Sequence, residues 1–404
     1  MARVTLQTIA DQVGVSRMTV SNAFSRPDQL SPTLRDKILG VASELGYVGP
    51  DPAARALARG TTGAVGVLLT ESLRYAFNDE VATTFLGAIA EELTPTGLAL
   101  TLLTAAARED VVPARDVAMD GAMVYSCDPS STAVDWLIRR RIPLVFIDQV
   151  PADGIPSVNV ADRPGARAAA QHVVDLGHRR VALVTSGVRG AHGLLPTGSV
   201  IPGTAETTST AETTSTAEAT STAETTSTAE TTSTAETTGT ADDPGATTGA
   251  DEKVIDGYVA QQRILGWLDA LTPAGITPPV VRLAHGQPED GYDGAKLLLA
   301  QDPRPTAILC FSDAIAQGVV QAAHDLGLRV PEDLSVVGFD DSPLAARMRP
   351  ALTTVRQDVL AKGRAAAAAL TRAIAEARAG TVPTAEQILV PADLIVREST
   401  APPT

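Results

Sequence analysis

The chain has 404 residues, of which 44% are hydrophobic and 20% charged, enough to build two or three globular domains. Its formal net charge of −15 on its own argues against a protein that binds nucleic acid. The charge is unevenly spread, because residues 1–60 contain seven bases and five acids, whereas residues 187–256 contain eleven acids and two bases. The N-terminal region therefore keeps a positive balance that suits phosphate groups.

Several classes of protein are disfavoured by what the sequence lacks. No N-terminal stretch has the pattern of a secretory signal, and no run is apolar enough to cross a membrane. Cys127 and Cys310 lie in apolar strand-like runs and are predicted to be buried free thiols. We expect a cytoplasmic, nucleoid-associated protein that does not contact a membrane. No residue cluster has metal-ligand spacing, so no metal or other cofactor is expected.

The N-terminal region has the pattern of three short helices. Apolar residues recur at helical spacing over residues 6–13, and Gly14 marks a turn. Ser16 suits the N-cap of a second helix, and Ser31 suits the N-cap of a third. Two helices joined by a glycine-containing turn are typical of helix-turn-helix proteins, in which the second helix enters the major groove of DNA. We therefore assign residues 1–49 to a helix-turn-helix headpiece.

The second helix carries side chains that suit DNA on the face opposite its apolar residues. Arginine and asparagine can form bidentate hydrogen bonds with guanine and adenine, and methionine can contact a thymine methyl group. We predict base contacts from Arg17, Met18 and Asn22. Hydroxyl groups suit phosphate oxygens, which fix the register of a protein on the duplex. The hydroxyl residues predicted to contact DNA are Thr5, Ser16, Thr19 and Ser21.

Residues 50–61 carry the signals of one further short helix. Asp51 suits the N-cap, Pro52 the first helical position and Gly60 the end. The helix would have only about two turns, and helices below ~12–15 residues are marginal alone in water. Two interpretations stay open: a hinge helix that forms only when a partner packs against it, and an ordinary linker helix.

From Gly63 onward, short apolar runs alternate with helical segments. This alternation predicts parallel sheets covered by helices on both faces. Ligands of such sheets bind beyond the carboxyl ends of the strands. The predicted strands are 64–69, 98–103, 121–125, 144–147, 181–184, 280–283, 307–310 and 335–338, and the predicted helices include 82–93, 133–140, 165–176 and 314–326.

Residues 4–22 resemble, nearly position for position, the headpiece of the LacI/GalR family of bacterial transcription regulators. Further similar runs are 177–183, 330–341 (VPEDLSVVGFDD) and 350–355. The resemblance covers the chain except for about residues 188–256. It implies an α/β fold in which the three-helix headpiece precedes a two-lobed, doubly wound parallel-sheet domain of the type I periplasmic-binding-protein kind, over residues 62–400.

The resemblance also implies how the two lobes divide the chain. The first lobe would comprise about residues 62–160 and 344–378, and the second about residues 161–343 and 386–400. Three crossovers would join the lobes. A small molecule, a sugar or sugar derivative, would lie between them and act as the effector.

Five residues are predicted to line this cleft. Ser126 and Asp148 follow predicted strands, and Phe77 stands where relatives place an aromatic ring against the ligand. Arg263 matches the family's ligand-binding arginine, and Asp340 matches an acid that binds ligand hydroxyls or amines. An arginine and two aspartates suit a polyhydroxylated ligand, because hydrogen bonds to charged groups are the stronger ones.

The family's mode of action gives the hinge its expected role. In relatives the hinge helices of two protomers pair in the minor groove of DNA, and a leucine wedges into the central base step. Leu57 occupies the leucine position, and Ala54 is small enough to allow close approach. The resemblance thus implies a homodimer on a near-palindromic double-stranded operator. A dimer is expected rather than a tail-mediated tetramer, because the C-terminal residues form no leucine heptad.

A six-residue repeat, Thr-Ala-Glu-Thr-Thr-Ser with small changes, starts at Thr204 and recurs five times. The repeat contains no large apolar residue, so burial cannot offset the entropy of ordering it. We predict that residues of about 188–256 form a disordered insertion. It is either a tolerated repeat expansion or a modulator of ligand access or of a partner.

These patterns together predict a ligand-controlled transcription regulator, most simply a dimeric repressor. One alternative is a solute-binding module without DNA regulation, which the headpiece and the missing export signal disfavour. The other is an enzyme that uses the cleft. No nucleophile–base pair emerges from the sequence, and the five histidines are scattered, so we expect no enzymatic activity.

Overall fold

The computed structural model describes residues 4–49, 51–69, 73–105, 111–127, 131–186, 193–195, 257–382 and 384–404. Its helices are α1 (Leu6–Val13), α2 (Arg17–Ser25), α3 (Pro32–Glu44), α4 (Pro52–Arg59), α5 (Leu73–Asn78), α6 (Glu80–Leu93), α7 (Pro113–Asp116), α8 (Thr132–Arg139), α9 (Asp162–Asp175), α10 (Tyr258–Leu271), α11 (Pro288–Leu299), α12 (Asp313–Asp325), α13 (Pro343–Arg347) and α14 (Val359–Arg378). Its strands are β1 (Ala64–Leu69), β2 (Ala99–Thr104), β3 (Ala122–Tyr125), β4 (Leu144–Ile147), β5 (Ser157–Val160), β6 (Val181–Ser186), β7 (Gly193–Leu194), β8 (Val280–Leu283), β9 (Ala307–Cys310), β10 (Ser335–Val337), β11 (Thr354–Gln357), β12 (Gln387–Val390) and β13 (Ala392–Ile395).

The headpiece consists of α1, α2 and α3 around a small apolar core. Thr5, Ser16 and Ser31 are the N-caps of the three helices, and each side chain accepts a hydrogen bond from a backbone N–H in the first turn. Gly14 ends α1 with φ of 79°, a conformation that suits glycine in the turn before α2. The buried core residues are Ile9, Ala10, Val13, Val20, Ala23, Ile38 and Ala42.

The first lobe is built on a six-stranded parallel sheet with the order β12-β5-β4-β3-β1-β2. One face packs against α6 and α14, and the other against α7 and α8. Gly363 on α14 lets this helix approach α6 closely, because a Cβ at this position would meet the Cβ of Ala88 at 2.6 Å. The start of α14, just after Gln357, is therefore held closely within the first lobe.

The second lobe is built on a five-stranded sheet with the order β10-β9-β6-β8-β7, parallel except for β7. Helices α9 and α10 cover one face, and α11 and α12 cover the other. The antiparallel pair β11 and β13 lies at the edge beside β10, where Val337 bridges to Thr353 and Asp340 to Arg356. The predicted doubly wound α/β architecture is confirmed in both lobes.

The chain passes between the lobes three times: after β5, between β11 and α14, and between β12 and β13. Two predicted boundaries need correction. Residues 344–357 were expected in the first lobe, but Ala345 and Leu352 lie in the second-lobe core. Strand β12 was expected in the second lobe, but it pairs with β5 in the first sheet. Only Pro391 separates β12 from β13, so in the sequence the two strands resemble a single apolar run.

The predicted insertion, residues 188–256, falls almost entirely outside the described residues. The exception is a short described segment that contains β7, which pairs with β8 so that Leu194 lies opposite Val281. This segment belongs to the second sheet, so the near boundary of the predicted insertion is too early in the sequence.

Two further findings concern the chain as a whole. Cys127 in the first lobe and Cys310 in the second are buried thiols that form no disulfide bond among the described residues, as predicted. Among the described residues, no helix combines the length and the apolar character that a membrane span requires.

Candidate DNA-binding surface and ligand cavity

The face of α2 that was predicted to read bases is exposed. Met18 is 69% exposed, and the Arg17 side chain beside it is also exposed. Val20 and Ala23 on the opposite face are buried in the headpiece core, which fixes the helix in place. A large apolar side chain left in solvent at this position is consistent with a contact surface rather than with core packing.

Asn22, the third predicted base contact, has a partner that the sequence did not reveal. Its amide Nδ2 donates to Oε1 of Gln29, at 3.1 Å, across the short 3-10 turn that follows α2. Gln29 is exposed. This hydrogen bond holds the Asn22 side chain in one orientation, so Gln29 is a positioning candidate for base reading.

The predicted phosphate contacts all lie near helix N-termini or on α2. Ser16 Oγ accepts from the Thr19 backbone N–H at 3.0 Å and lies 2.8 Å from Thr19 Oγ1. Thr5 forms a capping box with Thr8. Ser21 is half-buried, and its carbonyl accepts from Ser25 Oγ. Anions are stabilised at helix N-termini by the unpaired N–H groups and the helix dipole.

The hinge segment forms a helix, α4, in the single chain. Leu57 is 87% exposed, and Ala54 is exposed on the same helix. A helix of eight residues gains little stability by itself in water. An exposed leucine on such a helix leaves an apolar surface that another helix or a base step can cover.

A cavity of about 390 Å³ lies between the two lobes. The ends of β1, β3 and β4 line it from the first lobe, and the ends of β6 and β9 together with α10 line it from the second. Ser126 and Asp148 follow β3 and β4 with φ of 50° and 53°, and Asp340 in the loop after β10 has φ of 109°. Non-glycine residues rarely adopt such conformations, and they concentrate at functional sites.

Arg263 is the central cation of this cavity and is 4% exposed. Its Nε donates to Asp162 Oδ1 at 2.8 Å, and its Nη2 donates to Asp340 Oδ1 at 3.4 Å. Its Nη1 donates to the Phe311 carbonyl, and the guanidinium lies 3.6 Å from the centroid of the Phe339 ring. Arg263 thus joins α9, α10 and the loop after β10 in one buried ion cluster.

The cluster continues from the crossover into the first lobe. Gln357 Nε2 donates to Asp340 Oδ1 at 2.7 Å, and Gln357 Oε1 accepts from Lys362 Nζ at 3.1 Å. Lys362 Nζ also donates to Asp148 Oδ2 at 2.7 Å. Lys362 is 1% exposed and Asp148 is 4% exposed. A continuous path of hydrogen bonds between charged groups therefore connects the lobes along the cavity wall.

Burial shifts the proton affinities of these acids. Burial raises the pKa of Asp340 to about 8, although Arg263 acts in the opposite direction. Burial likewise raises the pKa of Asp313 to about 7, against hydrogen bonds from Thr354 and Ser342. Since a buried charge needs compensating partners, the protonation state of the cavity depends on what occupies it.

Four of the five predicted cleft residues line the cavity: Ser126, Asp148, Arg263 and Asp340. Phe77 does not; it is 61% exposed, although its neighbours Ala76 and Asn78 do line the cavity. Successive residues on a helix point about 100° apart, so the buried Ala76 directs Phe77 outward.

Sequence reasoning missed several charged or polar groups of this site, among them Asp162, Asp313, Gln357 and Lys362. Asp162 supports Arg263 from α9, and the other three line the cavity. Gln357 and Lys362 flank the start of α14. They lie near Asp148 only because the chain crosses from the second lobe to the first at this point. Asp313 could have been found, because it lies three residues after the predicted strand 307–310, as Asp148 lies just after 144–147.

A second cavity, of about 620 Å³, lies beside the same crossovers and shares Asp340 and Gln357 with the first. Its further charged groups include Arg356 and Asp358, which are exposed. Hydrogen bonds to exposed groups are weakened by competition with water. The smaller cavity, with its buried ion cluster, is therefore the better candidate for specific binding of a small molecule.

The fold and these two sites define a two-lobed ligand-binding domain attached to a helix-turn-helix headpiece. Residues 5–49 match the family described as bacterial regulatory proteins, lacI family, and residues 251–400 match the periplasmic binding protein-like domain. An HTH-type transcriptional regulator of Mycolicibacterium smegmatis is 32% identical over 377 residues, which cover 90% of this chain and 89% of that protein. The chain therefore belongs to the lacI family of bacterial transcriptional regulators.

Solved structures agree with this fold. The lac repressor dimer bound to operator and the anti-inducer ONPF matches with a TM-score of 0.69 and 21% identity, over 99% of this chain and 100% of that one. The complex of the transcriptional regulator CelR with cellobiose matches with a TM-score of 0.60 and 22% identity, over 98% and 100%. The relative and both neighbours are transcriptional regulators, so the family resemblance inferred from the sequence is confirmed.

Proposed function

We propose that the protein is a dimeric repressor whose affinity for a near-palindromic operator is controlled by a sugar or sugar derivative bound between the lobes. The observation that carries the proposal is the buried ion cluster from Asp162 to Asp148, which crosses the cavity at the junction of the lobes. A ligand that inserts between these groups interacts with both lobes and therefore favours one angle between them.

In this proposal the headpiece recognises the base sequence of the operator. Arg17 and Asn22 donate to guanine and adenine edges, and each bidentate contact discriminates against a wrong base by ~1–3 kcal/mol. Met18, exposed on the same helix, contacts a thymine methyl group. Ser16, Thr19 and Thr5 bind phosphates near the N-termini of their helices.

The hinge helix α4 transmits the state of the lobes to DNA. In a dimer, the exposed Leu57 of each protomer enters the minor groove, and Ala54 allows the two helices to approach. The lac repressor relative is a dimer on its operator, which supports this arrangement. Because α4 has few residues, the free energy of pairing and DNA contact decides whether it persists as a helix.

The CelR relative binds cellobiose, which supports a sugar as the class of effector. Hydroxyl groups suit the buried aspartates and the cations that accompany them, since hydrogen bonds to charged groups are strong in a water-poor cavity. Coupling between effector and operator of this kind typically amounts to ~1–3 kcal/mol.

The testing experiment is selection of bound DNA from a random pool by the full-length protein, followed by operator binding with a panel of sugars and nucleobases. We expect a palindrome with a central CG step, and one small molecule that changes operator affinity by roughly 5–150-fold. The direction of the change distinguishes induction from corepression. Failure to select any sequence, both without ligand and with the panel of small molecules present, would refute the proposed regulator and favour the solute-binding module.

Two variants sharpen this experiment. Arg17→Ala should relax base preference at one position of each half-site, and Leu57→Ala should weaken operator binding without unfolding the protein, because Leu57 is exposed. Lys37→Ala is the matched control, since Lys37 is an exposed base on α3 outside the reading helix. Equal effects of Arg17→Ala and Lys37→Ala on base preference would contradict the assigned reading face.

A further inference from the structure

Lys362 and Asp148 form a buried ion pair on the first-lobe side of the cavity, and both residues line it. The two side chains come from α14 and from the end of β4, and their side chains are 1% and 5% exposed. The Lys362 ammonium lies 5.6 Å and 5.5 Å from the ring centroids of Phe85 and Tyr125. The aromatic rings and the ion pair fix the position of the ammonium group.

Each partner of this pair retains hydrogen-bonding capacity. Asp148 Oδ1 is buried and has no hydrogen-bond partner among the described residues. Lys362 Nζ donates to Asp148 Oδ2 and to Gln357 Oε1, and an ammonium group has three N–H donors. One donor and one acceptor thus remain close together beside the cavity. A buried polar atom without a partner costs free energy, so a ligand that satisfies it gains affinity.

The charged residues around the cavity determine which net charge of ligand it accepts. Two cations line it, Arg263 and Lys362, and both are already paired with carboxylates. Five acids line the same cavity: Asp79, Glu80, Asp148, Asp313 and Asp340. Even when Asp313 and Asp340, whose pKa values burial raises, hold a proton, the three remaining acids outnumber the two cations. An anionic ligand would therefore meet an excess of like charge and find no unpaired cation among the described lining residues.

We infer that Lys362 and Asp148 together recognise one hydroxyl group of an uncharged polyhydroxylated ligand, and that the cavity rejects phosphorylated and carboxylated forms of that ligand. The hydroxyl donates to Asp148 Oδ1 and accepts from the remaining Lys362 N–H. A hydroxyl satisfies both through one oxygen, because it donates one hydrogen bond and accepts others. This inference rests on the proposed function, because it takes the cavity as the effector site.

The first test compares matched pairs of ligands on the full-length protein by calorimetry. The probes are ribose and ribose 5-phosphate, glucose and glucose 6-phosphate, glucose and glucuronate, and a panel of uncharged mono- and disaccharides and polyols that includes cellobiose. We expect an uncharged compound to bind, and its anionic derivative to bind at least tenfold more weakly. Tighter binding of an anionic member would overturn the inference while leaving the proposed function intact.

The second test removes single hydroxyls from the tightest uncharged ligand by using its monodeoxy derivatives. We expect one deoxy position to weaken binding at least tenfold in the wild type. In the double variant Lys362→Met/Asp148→Asn, which removes both charges together, the same deoxy derivative should bind within about threefold of its parent, because the recognising pair is gone. A deoxy penalty that stays tenfold in the double variant would assign that hydroxyl to other residues.

The matched control is Arg364→Met/Glu91→Gln. These two residues form an exposed ion pair that joins α14 to α6 within the first lobe. This control should leave the deoxy penalty unchanged. The wild-type series of deoxy and anionic ligands decides the inference even if the double variant is unstable, because absence of any tenfold deoxy effect would already overturn it. If the protein binds operator DNA but no sugar or polyol, both the inference and the proposed sugar effector are wrong. If it binds such a ligand but no specific DNA, only the proposed role as a transcription regulator is wrong.

Discussion

The headpiece and the cavity use polar residues in opposite ways. In the headpiece, the predicted contacts such as Arg17 and Met18 are exposed, and the core behind them is wholly apolar. In the cavity, Arg263, Lys362 and Asp340 are buried; Arg263 donates to Asp340 directly, and Gln357 links Asp340 to Lys362. Surface contacts of the first kind can change with little effect on folding, whereas the buried groups of the second kind contribute to the fold as well as to the proposed ligand site.

This difference bears on how each site responds to substitution. Distant surface residues usually act independently, whereas members of one hydrogen-bond network show strong coupling. We therefore expect the base contacts on α2 to change specificity position by position. Changes in the cavity should alter stability, ligand affinity and the angle between lobes together.

The largest expected effect comes from Arg263→Met, which leaves Asp162 and Asp340 buried without their cation. Breaking a buried ion pair by removing one partner costs about 3–5 kcal/mol. We expect the free energy of unfolding of the two-lobed domain, measured with urea, to fall by this amount. Binding of any cavity ligand should be lost as well, because Arg263 lines the cavity.

Arg163→Met is the matched control for Arg263→Met. Arg163 also joins α9 to α10, through Asp269 with distances of 2.7 Å and 2.9 Å, but the two side chains are 48% and 33% exposed. Solvent-exposed ion pairs contribute only about 0–1 kcal/mol. If both variants lost the same stability, burial would not distinguish the two pairs, and the contrast between surface and cavity would be wrong.

The same contrast explains what the sequence could and could not predict. The N-caps Ser16 and Ser31, the turn at Gly14 and the strand–helix alternation are local signals, and the structure has them where they were expected. Asp148 and Asp340 were recognisable because they follow strands. Lys362 was not, because only folding brings it from α14 to the end of β4, and a lysine in an amphipathic helix suggests an exposed face.

The lobe boundaries show a second kind of limit. Strands β12 and β13 belong to different sheets although only Pro391 lies between them. Local apolar pattern predicts that a segment is a strand, but it does not identify the sheet that it joins. Phe77 is a third case, since its position in the family's pattern predicted a ligand contact and the short helix α5 turns it outward.

A change in pH is expected to have an intermediate effect on the free energy of unfolding, through the titration of Asp340. Its pKa of about 8 in the folded protein lies above the value of about 3.9 in an unfolded chain. The folded state therefore holds a proton that the unfolded state releases, and this contribution to stability is lost as pH rises from about 4 to about 8. We expect Asp340→Asn to reduce the decline in the free energy of unfolding over this range, by up to about 1.4 kcal/mol per pH unit.

The measurement is the difference between wild type and Asp340→Asn in urea unfolding at several pH values from 5 to 8. Other groups titrate in this range: burial raises the pKa of Asp313 to about 7 and lowers the pKa of His172 and His178. The histidines oppose the aspartates, because their stabilising neutral forms are lost as pH falls. These groups are common to both proteins, so parallel curves would show that Asp340 does not hold the proton.

The smallest effect is expected from two serines in the headpiece that have the same structural role. Comparing them distinguishes helix capping from a DNA contact. Ser16 and Ser31 are both N-caps, which accept from Thr19 N–H at 3.0 Å and from Leu34 N–H at 3.4 Å. Replacing either with alanine should destabilise the headpiece by about 1 kcal/mol. Only Ser16→Ala should also weaken operator binding, roughly tenfold, because a hydrogen bond to a charged phosphate contributes about 1.5 kcal/mol. If the two variants bind the operator equally well under conditions where both are folded, Ser16 is a cap alone, and the DNA-contacting surface of α2 begins at Arg17.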